Sequence, residues 1–213
     1  MYLSVSSEAA TQMLPPPQPY TELALIRHGL SVQNNNRAFI QGSGPDSRNV
    51  LHRLGEIQAK TGAGTLLGMG IMAVGRYTSP LRRARQTCNI QGRIMGCSDI
   101  PVVEDARLGE MCKGLPELPG GMEGRLREEV ETPQFWQRFR REGWDCRHGS
   151  LESKGETPRE VGIRSLEAWN DIADALEAQP MPLRPGWRPM GLVYTHGLAI
   201  RFGIGNILGW PDI

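Results

Sequence analysis

The chain has 213 residues and a formal net charge of +1, a size that suits one domain with a full hydrophobic core. A balance so close to neutral argues against general nucleic-acid binding, which needs a strong positive excess. The sequence also lacks an apolar run long enough to span a membrane, so neither nucleic acid nor a membrane is an expected partner.

The cysteines and the N-terminus both favour a cytoplasmic location. No Cys-x-x-Cys spacing occurs, so a disulfide framework or a zinc site is not expected and the thiols should be free and buried. The cysteines in question are Cys88, Cys97, Cys112 and Cys146. Residues 1–20 lack the features of a signal peptide and contain a proline run, which predicts a flexible lead-in to a single domain over residues 21–213.

The first predicted strand leads directly into charged and catalytically capable residues. The apolar run at 23–26 is typical of a strand buried on both faces, and Arg27 and His28 stand at its tip. Gly29 then allows a sharp turn and a close approach of the backbone to a ligand. Ligand sites are expected at the carboxyl ends of strands in α/β sheets.

The next elements alternate between helix and strand. Residues 35–50 are polar and predict a loop, and residues 51–67 predict a helix that is interrupted or ends near Gly62 and Gly64. Residues 71–77 predict a second buried strand.

Ser79 and Pro80 form a helix-start pattern, with a hydroxyl N-cap and proline at the first helical position. The helix is expected to continue towards Met95. Its first turn holds three arginines, Arg82, Arg83 and Arg85. Cations are unfavourable at this end of a helix dipole, and a bound anion would relieve the repulsion.

The second half begins with a short predicted strand at 101–103 and an irregular stretch at 111–156. We interpret the latter as an insertion that covers the active site, with a helix beginning at Thr132-Pro133. A capping box at 157–160 predicts a long helix that ends near Gln179. A loop over 180–189 follows.

The last strand repeats the arrangement of the first. Residues 191–195 predict a buried strand with His196 and Gly197 at its tip, and residues 198–208 predict the helix after it. Alternating strands and helices predict an α/β fold, a three-layer sandwich with a mostly parallel central sheet flanked by helices. The two His-Gly strand ends and the arginine-rich helix start would then converge on one crevice.

In this order, the motifs resemble those of the histidine phosphatase superfamily, which includes the cofactor-dependent phosphoglycerate mutases. Residues 27–34, Arg-His-Gly-Leu-Ser-Val-Gln-Asn, are similar to its opening motif, and residues 79–87 to its second block. Residues 108–110, Leu-Gly-Glu, resemble the block that bears the acid. Residues 155–157 resemble a later helix start, and residues 194–197 the block with the second histidine.

The resemblance implies a phosphoglycerate mutase-like fold and two-step phosphoryl transfer. His28 would attack phosphorus and become a phosphohistidine, and Glu110 would exchange protons with the leaving group and water. Glu117 and Glu104 are further candidates for this acid. Phosphate oxygens would be held by a set of polar and cationic groups: Arg27, Ser31, Asn34, Arg83, His196 and Gly197. The two imidazoles would need different pKa values, because His28 must be neutral while His196 should be protonated beside a dianion.

The expected partner is a small-molecule phosphate ester, and neither a cofactor nor a metal ion is expected. A metal site on His28 and His196 is disfavoured because the neighbouring arginines would repel a cation. The alternatives to a phosphomonoesterase are a phosphoglycerate mutase-type phosphotransferase and a non-catalytic phosphate-binding or scaffold protein. Lys113 and the arginines at 138, 140 and 141 could hold an anionic substrate. Oligomeric state is left open, with a homo-oligomer as one option.

Overall fold

The computed structural model describes most of the chain, namely residues 21–35, 38–42, 49–115, 118–179 and 184–209. The predicted N-terminal lead-in and the candidate acid Glu117 lie outside these ranges, as does part of the predicted loop over 35–50.

Four strands of the described residues form one sheet: β1 (Glu22–Arg27), β2 (Ile71–Thr78), β3 (Val102–Glu104) and β4 (Arg188–Thr195). Their order is β1-β4-β2-β3, and every neighbouring pair is parallel. Arg27 pairs with Thr195, and Tyr194 pairs with Thr78. The carboxyl ends of β1, β4 and β2 are therefore level at one edge of the sheet, hereafter the sheet edge.

Helices fill the segments between the strands, and two of them begin at the predicted caps. Thr157 and Glu160 form a reciprocal capping box, and the Thr132 hydroxyl accepts a hydrogen bond from the Phe135 amide. The helices are α1 (Val32–Asn35), α2 (Arg53–Gly68), α3 (Arg82–Ile94), α4 (Arg127–Val130), α5 (Pro133–Glu142), α6 (Pro158–Glu177) and α7 (Gly197–Leu208), with 3₁₀ turns at Ala106–Leu108 and Gly143–Asp145.

Alternate residues of the strands pack on opposite faces of the sheet, as the apolar runs predict. On one face Val193 packs with Trp169 and Leu176 of α6. On the other face Leu192 and Tyr194 pack with Cys88 of α3 and with residues of α2. The predicted three-layer α/β sandwich is confirmed.

Two helix predictions differ from the structure. Helix α2 continues through Gly62 and Gly64, because Gly62 lies against α3, where an added Cβ would be 2.8 Å from Gln91 Nε2. Helix α3 begins at Arg82 with Leu81 as its N-cap, so Ser79 and Pro80 precede it.

The last two strands also have different bounds from those predicted. Strand β4 starts at Arg188, three residues earlier than expected, because Arg188 pairs with Ile71 and Met190 pairs with Glu22. Strand β3 lies one residue later than the predicted 101–103. Pairing partners on neighbouring strands set these limits, and the local sequence does not reveal them.

The insertion segment, residues 111–156, is anchored to the main body by aromatic and apolar packing. Met111 and Trp144 pack with Val161 of α6 and Phe202 of α7. All four cysteines of the chain are buried free thiols. Among the described helices, none combines the length and the apolar character that crossing a membrane requires.

Candidate active site

A cavity of about 210 Å³ lies at the sheet edge, beneath the insertion segment. Described residues from both regions line it: Arg27, His28, Asn34, Phe39, Gln41, Arg83, Glu110, Lys113, Arg127 and Leu198. Four of these side chains are cations and one is a carboxylate. Such a lining favours a ligand with more than one negative charge.

The imidazole of His28 is held in one tautomer by its own loop. Its Nδ1 lies 2.7 Å from the Gly29 carbonyl oxygen. A carbonyl can only accept a hydrogen bond, so Nδ1 carries the proton and the lone pair of the neutral ring is on Nε2. Arg83 Nε donates a hydrogen bond to this Nε2 at 3.2 Å. The neutral ring therefore has its nucleophilic atom next to a guanidinium group.

Burial and positive charge keep His28 neutral. The side chain is 6% exposed, and burial, together with the Arg83 and Arg27 charges, lowers its pKa to about 3. The Gly29 carbonyl opposes this shift but does not outweigh it. At neutral pH this imidazole is therefore unprotonated, which is the form that can act as a nucleophile.

Gly29 has a different structural role from the predicted sharp turn. Its φ is not in the left-handed region. An added Cβ would lie 2.2 Å from the Gly55 carbonyl oxygen, so the glycine allows the loop after β1 to lie against the first turn of α2. This contact helps to fix the backbone that carries His28.

His196 lies directly behind His28 and is fully buried. The two ring centroids are 4.9 Å apart, and His196 Nε2 is hydrogen-bonded to Ser79 Oγ at 2.9 Å. Burial, followed by the charge of Arg83, lowers the pKa of His196 well below its usual value. In the protein alone, burial and the arginine charges lower the pKa of both rings, whereas the expected separation of the two pKa values concerns the complex with a phosphate dianion. A phosphate dianion beside His196 would raise its pKa again.

The other predicted phosphate ligands fall into two groups. Arg27 and Asn34 line the cavity, and Gly197 lies beneath Arg27, where an added Cβ would be 3.3 Å from the guanidinium Nε. Ser31 is buried, and its Oγ accepts a hydrogen bond from the backbone N–H of Asn34 at 3.2 Å. The structure therefore places Ser31 as a support for Asn34.

Among the three acid candidates, the structure brings Glu110 into the cavity with His28. Glu110 Oε1 accepts a hydrogen bond from the Met111 amide at 2.9 Å. Glu104 lies on β3, pairs with Arg85 at 3.3 Å and does not line the cavity. Glu117 lies outside the described residues.

Lys113 and Arg127 supply the cations on the insertion side of the cavity. Burial lowers the pKa of Lys113, while the Glu110 charge opposes this shift. Arg127 forms an ion pair with Glu131. Sequence analysis missed Arg127, because it lies in a charged stretch with no motif around it.

The three arginines of α5 named as substrate ligands do not line the cavity. Arg138 instead donates a hydrogen bond to the Arg147 carbonyl at 2.7 Å, and Arg141 pairs with Glu142. Among the residues that line the cavity, Phe39, Gln41 and Leu198 were also missed, since they belong to no recognisable pattern.

A larger cavity of about 340 Å³ borders the same Arg27, His28 and Asn34. Its other described lining residues come from β1, the loop that follows it, α2 and α3, and they include no carboxylate. The smaller cavity brings His28 together with four cationic side chains and Glu110, so we take it as the candidate active site. Within the described ranges, no three His, Cys, Asp or Glu side chains are grouped so that they could hold a metal ion.

The fold and this cavity define a class of protein: a parallel α/β protein whose candidate active site groups a histidine with several cations at the carboxyl ends of its strands. The family profile described as Histidine phosphatase superfamily (branch 1) matches residues 23–212, and the chain belongs to this family.

The curated relatives include mutases from several bacteria. The chain is 36% identical over 119 residues to the 2,3-bisphosphoglycerate-dependent phosphoglycerate mutase of Corynebacterium diphtheriae, covering 55% of this chain and 46% of that protein. It is 30% identical over 142 residues to the enzyme of the same name from Bartonella quintana, covering 67% and 63% of the two chains. The matches thus span less than two thirds of these relatives' lengths.

Solved structures with the same fold include both phosphatases and mutases. The mycobacterial glucosyl-3-phosphoglycerate phosphatase is 25% identical, with a TM-score of 0.67 over 89% of this chain and 80% of that one. Phosphoglycerate mutase from Bacillus anthracis is 19% identical, with a TM-score of 0.68 over 92% and 84% of the two chains. The fold is thus that of phosphoglycerate mutase-like proteins, as expected.

Proposed function

We propose that the protein is a metal-independent phosphomonoesterase that acts on a small phosphorylated metabolite through a phosphohistidine intermediate. One observation carries this proposal: the neutral His28 tautomer has its Nε2 lone pair beside Arg83, in the same cavity as Glu110. A nucleophile, a positively charged binding site and a proton donor are the parts that such a reaction requires.

In the first step, His28 Nε2 attacks the phosphorus atom in line with the ester oxygen. The bond between phosphorus and this oxygen breaks, and protonated Glu110 gives its proton to the leaving alcohol. Arg83 Nε lies 3.2 Å from Nε2, so its guanidinium can reach an equatorial oxygen as charge redistributes. Arg27, Asn34 and protonated His196 would hold the remaining oxygens.

In the second step, the Glu110 carboxylate takes a proton from water, which attacks the phosphohistidine. Inorganic phosphate leaves and His28 returns to its neutral form. The cations in this scheme are protein side chains, so exhaustive chelation should leave the rate unchanged. A strict requirement for added Mg²⁺ or Zn²⁺ would contradict the scheme.

The names of several structural neighbours support the hydrolase assignment. They include a glucosyl-3-phosphoglycerate phosphatase and an Entamoeba histolytica phosphoserine phosphatase, the latter at 23% identity and a TM-score of 0.63. In this chain, Met111 and Cys112 are buried and do not line the cavity, so among residues 111–115 only Lys113 is offered to a substrate. A mutase needs more groups that hold its substrate while excluding water.

A mutase is the second candidate, because the curated relatives at 36% and 30% identity carry that name. Lys113 and Arg127 in the cavity could also hold the carboxylate of a phosphoglycerate.

One assay separates the two functions. The protein is given 3-phosphoglycerate with a trace of 2,3-bisphosphoglycerate, and both 2-phosphoglycerate and free phosphate are followed. A parallel screen covers phosphorylated metabolites, sugar phosphates, nucleotides and phosphopeptides. Release of phosphate from a monoester without isomerisation is the expected result. Isomerisation that outruns phosphate release would overturn the proposal, and absence of all turnover would favour the non-catalytic alternative.

A further inference from the structure

The segment that carries Glu110 has little regular structure of its own. Residues 109–113 follow a 3₁₀ turn and belong to neither a helix nor a strand. Backbone carbonyls in such a segment need partners from elsewhere, because unpaired buried polar groups are costly. Thr195 of β4 supplies one partner, since its hydroxyl donates to the Leu108 carbonyl at 2.7 Å.

Arg164 of α6 supplies partners for three carbonyls in and just before this segment. Its Nη1 donates to the carbonyls of Arg107 and Gly109 at 2.6 and 3.0 Å. Its Nη2 donates to the Glu110 carbonyl at 3.2 Å. One guanidinium group thus binds three carbonyls within four consecutive residues.

The same guanidinium forms a bidentate ion pair with Glu156. Nε and Nη2 of Arg164 donate to the two carboxylate oxygens at 2.7 and 3.0 Å. Glu156 Oε2 also accepts from the Cys112 amide at 2.7 Å, and the Glu156 amide donates to the Cys112 carbonyl at 2.8 Å. Both side chains are largely shielded, at 18% and 21% exposure, which strengthens the pair relative to a surface one.

Through these bonds, Arg164 and Glu156 hold the backbone on both sides of Glu110, the candidate acid. A guanidinium has five N–H groups in a fixed plane, and Arg164 makes five bonds with them. A lysine has three donors on a flexible chain and could not reproduce this set. The backbone is therefore fixed before Glu110 through Arg107 and Gly109, and after it through Cys112 and Glu156.

We propose that Arg164, paired with Glu156, is a positioning residue that sets the placement of Glu110 against the leaving-group oxygen. This inference rests on the proposed function, in which Glu110 is the acid. Proton transfer requires close approach of the carboxyl to the leaving oxygen, so a displacement of about 1 Å should weaken it severely. Arg164 itself touches neither the cavity nor the reacting atoms.

The test compares two esters that differ in their need for a proton. For Arg164→Ala, kcat on an alkyl phosphate should fall on the order of tenfold or more, while p-nitrophenyl phosphate changes by less than about threefold. Arg164→Lys and Glu156→Gln should also slow the alkyl phosphate more than p-nitrophenyl phosphate, but with a smaller fall in kcat. These two variants replace Arg164→Ala in the test if the alanine variant folds poorly. In a Glu110→Gln background, Arg164→Ala should add nothing further to the selectivity.

Arg159→Ala is the matched control. Arg159 lies on the same helix, pairs with Asp145 at 2.6 Å and is far more exposed, so both esters should keep their rates. Equal slowing of the two esters by Arg164→Ala, or an additive effect in the Glu110→Gln background, would overturn the positioning role.

Hydrogen exchange supplies a readout that does not depend on activity. Amides of residues 108–112 should exchange faster in Arg164→Ala than in the wild type, while those of β1 and β4 stay unchanged. Unchanged exchange at 108–112, or faster exchange throughout the domain, would overturn the proposal. If the wild type hydrolyses neither ester, the proposed function fails, and the exchange data alone then decide whether Arg164 fixes this segment.

Discussion

The two sides of the cavity are built differently. At the sheet edge, His28, Arg83 and His196 are almost fully buried, and regular strands and helices hold them. On the other side, Lys113 comes from an irregular stretch and Arg127 from a four-residue helix of the insertion segment, where Arg127 forms an ion pair with Glu131. In the proposed reaction, the nucleophile and the groups that bind phosphate thus rest on regular elements, whereas contacts to the rest of a substrate would rest on irregular ones.

Removal of the nucleophile is the strongest test of the sheet edge. His28→Ala should lower turnover on the order of a thousandfold or more, because the covalent step disappears. Steady-state phosphate release measures this loss. The wild type should also give a phosphoprotein that survives alkali but not acid.

His52→Ala is the control for the nucleophile, since His52 caps α2 and lies outside the cavity. It should retain activity. Turnover that persists in His28→Ala would contradict the phosphohistidine mechanism.

Glu110, the proposed acid, lies between the two sides of the cavity. Its role can be tested by comparing esters whose leaving groups differ in their need for a proton. Glu110→Gln should slow alkyl phosphates on the order of a hundredfold, because their alkoxides need a proton. p-Nitrophenyl phosphate should slow far less. Glu104→Gln, on exposed β3, should leave both rates unchanged. If Glu110→Gln slows both esters equally, the acid is another residue, and Glu117 is the next to test.

The insertion side should affect substrate choice more than chemistry. Lys113→Met should raise KM about tenfold for esters with a second anionic group and leave p-nitrophenyl phosphate unaffected. Lys60→Met, on the exposed face of α2, is the control. A fall in kcat for every ester would instead place Lys113 in the chemistry.

The smallest expected effect concerns the free energy of unfolding at acid pH. One histidine at the sheet edge and one in the insertion segment contribute to it. Burial is the main cause that lowers the pKa of His28 to about 3 and of His148, in the insertion segment, to about 4. Below about pH 6.5 the unfolded chain binds protons that the folded chain does not, so the free energy of unfolding decreases as pH falls.

His148→Phe should reduce this acid sensitivity. The ring packs edge-on against both Phe135 and Phe139, and the charges of Lys113 and Arg138 also lower its pKa. Urea midpoints at about pH 7 and about pH 5 measure the difference. An equal loss in variant and wild type would show that His148 does not contribute.

Much of the site was predictable because its motifs are local. An apolar run followed by Arg-His-Gly specifies a buried strand with His28 at its end. A second apolar run followed by His-Gly likewise predicted His196 at the end of β4. Thr132 and Thr157 marked helix starts correctly, since a cap is a contact between residues three positions apart.

Predictions from neighbouring residues were wrong where a residue also contacts a partner that is distant in the sequence. The Ser79 hydroxyl accepts a hydrogen bond from the Leu81 backbone amide, as an N-cap would, but it is also bonded to His196, and α3 begins only at Arg82. The glycines of α2 predict a break, but packing against α3 keeps the helix continuous.

The sequence by itself determined the two strands that end at a histidine, the order of strands and helices along the chain, and the family. Only the tertiary structure decided that Glu110, and not Glu104, shares the cavity with His28, and that Arg127 and Arg164 serve the site from segments without motifs. Hydrogen bonds and ion pairs between residues far apart in the chain fix these placements, as Arg164 does with the carbonyl of Glu110. Such contacts leave no periodicity or spacing in the sequence, because they form only when the helices pack on the sheet.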